Sequence, residues 1–263
     1  MFRKLFPKSK SIIGMIALPP LNYGFVLNQA IDRALADLDT LQSGGVDGVC
    51  VENDYDQPHQ ITIDREMVES FKKIAQQVMT QAKIPVGVQV LLNDWRASLE
   101  IAKSIGAQFV RLDFFVDRVQ IAAGVIEPEP EAIIAYRKRI AAEHVALFTD
   151  VQVKHSEMLE PDKTLSTSTQ QAIVHGADAL IVTGKLTGEA PNIKALKEVR
   201  NAAGNFPILI GSGTTAQNVA DLFQYADGAI VGTSLKQSKA VHEMIMAERV
   251  QELIHTVEIL RKS

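Results

Sequence analysis

Residues 207–236, PILIGSGTTAQNVADLFQYADGAIVGTSLK, contain one short pattern twice. An apolar run, residues 207–210, ends in Gly211-Ser212-Gly213, and a second run, residues 229–231, ends in Gly232-Thr233-Ser234. A helix is expected after each turn, and Thr214 or Thr215 would cap the first helix, which runs to about residue 225. Repeated units of strand, turn and helix predict a parallel sheet with helical connections.

The two glycine turns also predict an anion site. Glycine lets a ligand approach the backbone, and the free amides and dipole of a helix start favour an anion. The last strands of a TIM barrel hold a substrate phosphate in this way. We therefore predict a phosphate site made by residues of both turns, namely Gly211, Ser212, Gly213, Gly232, Thr233 and Ser234. The alternative is that both turns are only tight connections.

Eight apolar runs recur along the chain, each followed by a turn and a helical pattern. The strands are predicted at residues 12–17, 48–52, 85–91, 109–113, 146–153, 179–183, 207–210 and 229–231. The other helices are expected near residues 28–42, 65–82, 94–106, 130–143, 166–175, 192–202 and 238–261. Eight such units favour a (β/α)8 TIM barrel of the phosphate-binding type. A dinucleotide-binding fold would need GxGxxG after the first strand, and the sequence has no such motif there.

Composition narrows the class of protein. The 263 residues carry a net charge of −4 with a pI near 5.9, which argues against a nucleic-acid surface. Cys50 is the only cysteine, which suits a reducing cytoplasm. No apolar run approaches the roughly 18 residues of a spanning helix, so no integral membrane segment is expected. We predict a single domain over residues 1–263 that forms a homo-oligomer, as barrels of this size commonly do.

The first ten residues, MFRKLFPKSK, are basic but lack the apolar centre of a secretory signal. They are predicted to form a solvated arm that leads into the first strand. The alternative is a weak peripheral contact of Phe2, Leu5 and Phe6 with an anionic membrane.

Alternation along each strand predicts which side chains point into the barrel. The inward positions at the ends of strands two to six carry polar residues: Glu52, Gln89, Arg111, Asp113, Asp150, Gln152, Lys154 and Thr183. A packed barrel centre prefers branched apolar residues, and burying unpaired charges costs several kcal/mol. Such a cluster can hold displaced pKa values and is typical of acid–base sites. The alternative is an ion network in which Arg111 bridges Asp113 and Asp150 to hold the barrel together.

Lys154 and His155 follow the fifth strand directly. Lys154 could polarise a carbonyl, bind a second anion or form a Schiff base. A Schiff base needs an uncharged amine, which neighbouring carboxylates oppose, so we favour an electrostatic role. His155 is a candidate general acid or base at the rim, or an exposed or packed histidine.

The loops after strands two and six add further candidates. Asp54, Asp56 and His59 are candidates to add to the site or to a metal, but they lack a recognisable ligand spacing. No metal or cofactor is therefore predicted, and a divalent metal at these residues is the alternative. Thr183-Gly184 and Thr187-Gly188 are candidates for a ribose or phosphate contact, or form a flexible lid loop.

Six segments in order are similar to the BtpA/SgcQ family: IIGMIALPP, GVDGVCVEN, DVQVKH, IVTGKLTG, GSGTTAQNV and ADGAIVGTSLK. The resemblance spans residues 12–236 and implies a phosphate-binding (β/α)8 barrel. The family's cyanobacterial founding member is associated with photosystem I biogenesis, and another relative is described as a nucleoside triphosphatase. No GxxxxGK[ST] motif is present to support a P-loop triphosphatase. Where the family usually has a histidine at the end of strand one, this chain has Ala17, which puts an activity that uses that histidine in doubt.

These observations lead to three hypotheses. The first is an enzyme for a small phosphorylated metabolite, such as a sugar phosphate or a nucleotide-like compound. Lys154 would stabilise negative charge, Asp150 or Glu52 would move protons, with His155 at the rim, and Arg111 and Asp113 would orient the substrate. The expected substrate-binding residues are Asn53, Gln89, Arg111, Gln152, Thr183 and Gly184. The second hypothesis is a non-catalytic assembly factor for a photosynthetic complex, and the third is a metabolite-binding sensor.

Overall fold

The computed structural model describes residues 1–21, 26–238 and 243–262. Its strands are β1 (Ser11–Ala17), β2 (Gly48–Glu52), β3 (Val86–Gln89), β4 (Phe109–Leu112), β5 (Val119–Ile121), β6 (Gly124–Ile126), β7 (Ala146–Asp150), β8 (Glu157–Met158), β9 (Ala179–Val182), β10 (Ile208–Ile210) and β11 (Gly228–Val231). Eight parallel strands form a closed barrel in the order β1-β11-β10-β9-β7-β4-β3-β2, and β2 pairs with β1. The predicted (β/α)8 barrel is confirmed.

Most of the helices cover the outside of the barrel, and the first one lies beneath it. They are α1 (Phe2–Leu5), α2 (Leu27–Ser43), α3 (Arg65–Gln81), α4 (Trp95–Ile105), α5 (Pro130–Arg139), α6 (Leu165–Val174), α7 (Ile193–Ala203), α8 (Val219–Leu222) and α9 (Ala247–Lys262). The side chains of Asp64, Asp94, Thr164 and Asn192 each accept an amide hydrogen bond in the first turn of α3, α4, α6 and α7. These polar residues fix where the four helices begin.

Alternation along the strands sorts their side chains as the sequence predicts. Val49 and Val51 pack in the layer between barrel and helices, whereas Cys50 packs inside the barrel. Phe109 and Phe148 fill the interior, with ring centroids 4.6 Å apart. The interior below the strand ends is therefore an apolar core, and the charged side chains of Glu52, Arg111 and Asp150 lie at its carboxyl end.

The N-terminal residues close the other end of the barrel. Phe2 and Phe6 are each only 3% exposed and pack among the inward-facing side chains. Their rings contact Phe148 and Phe109 at centroid distances of 5.6 and 6.0 Å. The prediction of a solvated arm is wrong, because α1 places these two rings under the barrel. The same burial removes both rings from the proposed membrane contact.

Shortening one of these rings is expected to weaken the barrel floor. Phe6→Leu should lower the free energy of unfolding by about 1–2 kcal/mol, because apolar contacts in a packed core are lost. Urea denaturation measures the change. Lys4→Ala, on the exposed side of α1, is the matched control and should change stability by less than about 0.5 kcal/mol. Equal effects of the two variants would contradict a packed floor.

Several predicted boundaries differ from the structure. The helix expected directly after residue 213 begins only at Val219, because residues 215–218 form a turn in which Asn218 Oδ1 accepts the amide of Thr215 at 2.8 Å. A 3-10 turn, Thr233–Leu235, follows β11. The long last helix is shorter than predicted, since α9 begins at Ala247 and residues 239–242 lie outside the described part of the chain.

A small antiparallel sheet was not predicted. Strands β5 and β6 form a hairpin, and β8 pairs with the other edge of β5. Val119, Ile121 and Ile126 form a separate apolar cluster with Phe114 and Val153. The loop after the fourth barrel strand is thus partly ordered by its own core.

Across the described segments, no helix combines the length and the apolar character that crossing a bilayer requires.

Candidate functional site

A cavity of about 280 Å³ opens at the carboxyl ends of the barrel strands. The candidates Thr187 and Gly188 line it, together with nine other predicted site residues: Glu52, Arg111, Lys154, Gly211, Ser212, Gly213, Gly232, Thr233 and Ser234. These nine lie at or after the ends of β2, β4, β7, β10 and β11, which meet at this face. The structure therefore brings both glycine turns and three charged side chains to one place.

The two glycine turns are held together by a hydrogen bond. Ser234 Oγ donates to the carbonyl oxygen of Thr214 at 2.6 Å, which links the turn after β11 to the turn after β10. Ser212 Oγ donates to the carbonyl oxygen of Glu189 at 2.6 Å and accepts the amide of Gly184 at 2.9 Å. Both serine hydroxyl hydrogens are thus directed to protein carbonyls, which leaves the backbone amides and the Thr214 hydroxyl as donors of these turns.

We call the two turns, residues 211–214 and 232–234, the cradle. Within the described residues, the following cradle amides donate to no protein acceptor: Gly213, Thr214, Thr233 and Ser234. Thr214 is 1% exposed and lines the cavity, yet its Oγ1 atom has no hydrogen-bond partner among the residues that the structure describes. Buried polar groups normally have partners, so the cradle offers donors that an external acceptor could satisfy.

Arg111 is the centre of a buried ion network. It is 3% exposed, and its Nε and Nη2 atoms donate to the two carboxylate oxygens of Asp150 at 2.9 and 3.0 Å. Asp113 lies 3.5 Å from the same Nε and accepts a hydrogen bond from Gln89 at 2.7 Å. Burial raises the pKa of Asp150 to about 6, and the adjacent guanidinium opposes this. Asp150 is therefore an ion-pair partner of Arg111 at neutral pH and does not line the cavity.

Glu52 is the carboxyl group that faces the cavity. Its residue is 9% exposed, and among the described residues no donor lies within hydrogen-bond distance of its carboxyl group. Burial raises the pKa of Glu52 to about 8, and the charge of Asp54 raises it further, while Arg111 and Lys154 oppose the shift. A carboxyl group that titrates near neutral pH can both donate and accept a proton. Of the predicted acid–base residues, Glu52 has the position and the environment for this role.

Lys154 and His155 lie side by side but face different surroundings. Lys154 lines the cavity, and its amide donates to Thr183 Oγ1 at 2.9 Å. His155 takes a left-handed conformation with φ of 59°, and its Nε2 lies 2.9 Å from Thr187 Oγ1. Burial lowers the pKa of His155, and the charge of Lys154 lowers it further. His155 therefore fastens the loop after β9 at the rim, outside the cavity lining.

Of the residues predicted to bind substrate, only Arg111 lines the cavity. Asn53 uses both ends of its amide, since Oδ1 accepts from Leu91 at 2.8 Å and Nδ2 donates to Asp56 at 3.1 Å. The Gln89 side chain donates a hydrogen bond to Asp113. Thr183 Oγ1 accepts the backbone amide of Lys154, and the backbone amide of Gly184 donates to Ser212 Oγ. These residues position the groups that reach the cavity.

Gln152 does not point into the barrel, contrary to the prediction. Strand β7 ends at Asp150, and Gln152 takes a φ of 45°. Its backbone amide donates to the Asp117 carboxylate at 2.8 Å, and its side-chain Nε2 donates to the Lys163 carbonyl oxygen at 3.2 Å. The alternation rule fails here because the chain has left the strand.

Asp54 lines the cavity, and so do Tyr55 and Lys236, which had not been predicted to bind a ligand. Lys236 is 4% exposed, and its Nζ donates to the Tyr55 hydroxyl oxygen at 3.2 Å. Lys236 closes the stretch quoted first, so its position two residues after the second turn was the available signal. The contact with Tyr55 joins residues 181 apart in the chain, which no local pattern reveals.

The loop after β2 is held by its own contacts. Asp56 accepts hydrogen bonds from Asn53 and from the amide of Leu21, and His59 Nε2 lies 2.9 Å from the carbonyl oxygen of Asp54. In the portion of the chain that the structure describes, no three His, Cys, Asp or Glu residues form a group that could hold a metal ion. Ala17 lines the cavity and pairs with Glu52 across β1 and β2, while residues 22–24 of the following loop lie outside the described residues.

Comparison with known proteins gives the same architecture. Phosphoribosylanthranilate isomerase from Pyrococcus furiosus superposes with a TM-score of 0.59 at 12% identity, over 95% of this chain and 99% of that chain. A structure titled as native KDPGal superposes with a TM-score of 0.59 at 14% identity, over 96% of both chains. These likenesses show a shared fold.

Sequence relatives cover nearly the whole chain. The photosystem I biogenesis protein BtpA of Synechocystis sp. is 34% identical over 96% of this chain and 89% of that protein. An uncharacterized protein of Thermococcus kodakarensis is 33% identical over 97% of both. Residues 8–259 match the BtpA family. Since this match covers the barrel from β1 to α9, the chain belongs to the BtpA family.

Proposed function

We propose that this barrel is an enzyme that acts on a small phosphorylated metabolite by acid–base chemistry. The cradle would bind the phosphate through its free amides and Thr214 Oγ1. Glu52 would exchange a proton with the substrate, and Lys154 would stabilise the negative charge that develops. The observation that supports this proposal is that cradle, Glu52 and Lys154 line one cavity.

The unpartnered hydroxyl of Thr214 gives a direct test of the phosphate site. Thr214→Val should weaken binding of inorganic phosphate roughly tenfold, since a hydrogen bond to a charged group contributes about 1.5 kcal/mol or more. Stability without phosphate should stay the same or rise, because the hydroxyl has no protein partner. Isothermal titration calorimetry and thermal melting measure the two effects.

Thr169→Val is the matched control for this experiment. Thr169 Oγ1 is also buried without a partner, but Thr169 lies in α6 and outside the cavity lining. Its replacement should leave phosphate binding unchanged. Absence of phosphate binding to the unaltered chain, or equal loss in both variants, would refute the proposed site.

A second candidate function is a non-catalytic role in assembling a photosynthetic complex. The name of the Synechocystis relative favours it. A scaffold of this kind would bind subunits of that complex with the same affinity after Glu52→Gln or Thr214→Val. The enzyme should lose turnover of its phosphorylated substrate in the same variants.

A further inference from the structure

Two lysine side chains line the cavity from different loops. Lys154 follows β7 and Lys236 follows β11, while the charge of Arg111 is matched by Asp150 and Asp113. Among the described residues, no carboxylate oxygen lies within 4.0 Å of either ammonium group. With Glu52 protonated at neutral pH, the side chains that line the cavity carry three positive charges (Arg111, Lys154 and Lys236) and one negative charge (Asp54).

Lys236 and Tyr55 form a pair of donors on this cavity wall. The Lys236 ammonium donates to the phenol oxygen at 3.2 Å and lies 5.1 Å from the ring centroid. Burial raises the pKa of Tyr55, so the phenol keeps its hydrogen at neutral pH. Within the described residues that hydrogen meets no acceptor, and it can be donated to a ligand together with an ammonium hydrogen.

The burial of Lys236 is only partly offset by the protein. Burial lowers the pKa of Lys236, and the charge of Arg33 lowers it further, whereas the charges of Asp37 and Asp54 oppose the shift. A buried cation gains most from an anion that contacts it directly. A ligand that places an anionic group here would supply that contact.

We infer that the ligand is a phosphorylated carboxylic acid, whose phosphate lies in the cradle and whose carboxylate is bound by Lys236 and Tyr55. This inference rests on the proposed phosphate site and adds a second recognition point to it. Two adjacent donors suit the two oxygens of a carboxylate. The cavity of about 280 Å³ holds roughly nine waters at about 30 Å³ each, which is room for a short phospho-acid.

Three probes with different second groups test the inference. Phosphoglycolate carries a carboxylate, ethyl phosphate has an uncharged tail, and pyrophosphate carries a second phosphate. Calorimetric titration should show phosphoglycolate binding at least about tenfold more tightly than ethyl phosphate, because one charge-assisted hydrogen bond contributes about this factor in affinity. Pyrophosphate should bind less tightly than phosphoglycolate.

Variants of the donor pair locate the second group. Lys236→Met should reduce the preference for phosphoglycolate to less than about twofold and leave the affinity for ethyl phosphate within about twofold. Tyr55→Phe should reduce the preference in part. Lys194→Met, at an exposed lysine of α7, is the control and should change neither affinity. Lys236→Gln repeats the measurement if the methionine variant does not melt cooperatively.

The possible results separate the two proposals. Equal, measurable affinities for phosphoglycolate and ethyl phosphate would overturn the carboxylate site and leave the phosphate site standing. Equal weakening of both probes by Lys236→Met would assign Lys236 to the phosphate and also overturn the inference. Tighter binding of pyrophosphate would identify the second group as a phosphate. Failure of inorganic phosphate to bind would remove the proposed function and this inference together.

Discussion

Replacing Arg111 by methionine is expected to lower the free energy of unfolding by about 3–5 kcal/mol. The guanidinium is the ion-pair partner of Asp150, whose side chain is fully buried, and also lies beside Asp113. Its removal leaves two buried carboxyl groups without their cation, and burying an unpaired charge is costly. Urea denaturation at neutral pH measures the loss. Arg65→Met, at an exposed arginine of α3, should change stability by less than about 0.5 kcal/mol.

A double variant shows whether the unpaired carboxylate causes this loss. Arg111→Met combined with Asp150→Leu should recover at least about half of the stability, because an apolar pair of similar volume often replaces a buried ion pair at little cost. If the single variant is too unstable to measure, the double variant still reports on the network. A single variant that costs less than about 1 kcal/mol, or a double variant no more stable than the single one, would contradict this account.

The second large effect is expected at Glu52. Folding raises the pKa of this carboxyl group to about 8, so the folded chain keeps a proton that the unfolded chain has already released. The contribution of Glu52 to the free energy of unfolding is therefore fully present below about pH 4.5 and is lost as the pH rises through about 8. The loss amounts to a few kcal/mol, since each pKa unit corresponds to roughly 1.4 kcal/mol.

Glu52→Gln removes this titration and should make the chain more stable than the unaltered protein at pH 9, with little difference at pH 4.5. Urea denaturation from pH 4.5 to 9 gives the comparison. Asp150, with its pKa near 6, remains in the variant, so part of the slope below pH 6 should persist. Glu69→Gln, at an exposed glutamate of α3, should leave the profile unchanged. Parallel pH profiles of the unaltered protein and Glu52→Gln would show that Glu52 titrates normally.

The sequence predicts the strands and their inward faces well because both depend on local order. Side-chain direction alternates wherever a strand continues, so Cys50, Arg111 and Asp150 could be assigned to the interior. The rule fails within two residues of the end of a strand. Gln152 shows this, because its direction is set by Asp117 on another loop, 35 residues away.

The sequence could not predict which hydrogen-bond donors of the cradle lack a protein acceptor. Ser212 and Ser234 both lie in the glycine turns, but their hydroxyl hydrogens are directed to the carbonyl oxygens of Glu189 and Thr214. Only the packing of neighbouring loops decides this.

The burial of Phe2 and Phe6 has a weak signal in the sequence, since residues four apart share one helix face. The basic residues between them nevertheless suggested a solvated arm.

The Ser212 hydroxyl joins the loop after β9 to the first cradle turn, and the Ser234 hydroxyl joins that turn to the second. Three connections from separate strands thus form one hydrogen-bonded framework. A change of length in any one of them shifts the other two, so evolution can alter this end of the barrel only by changing all three together. Moving the anion site to another barrel would require transferring all three connections together.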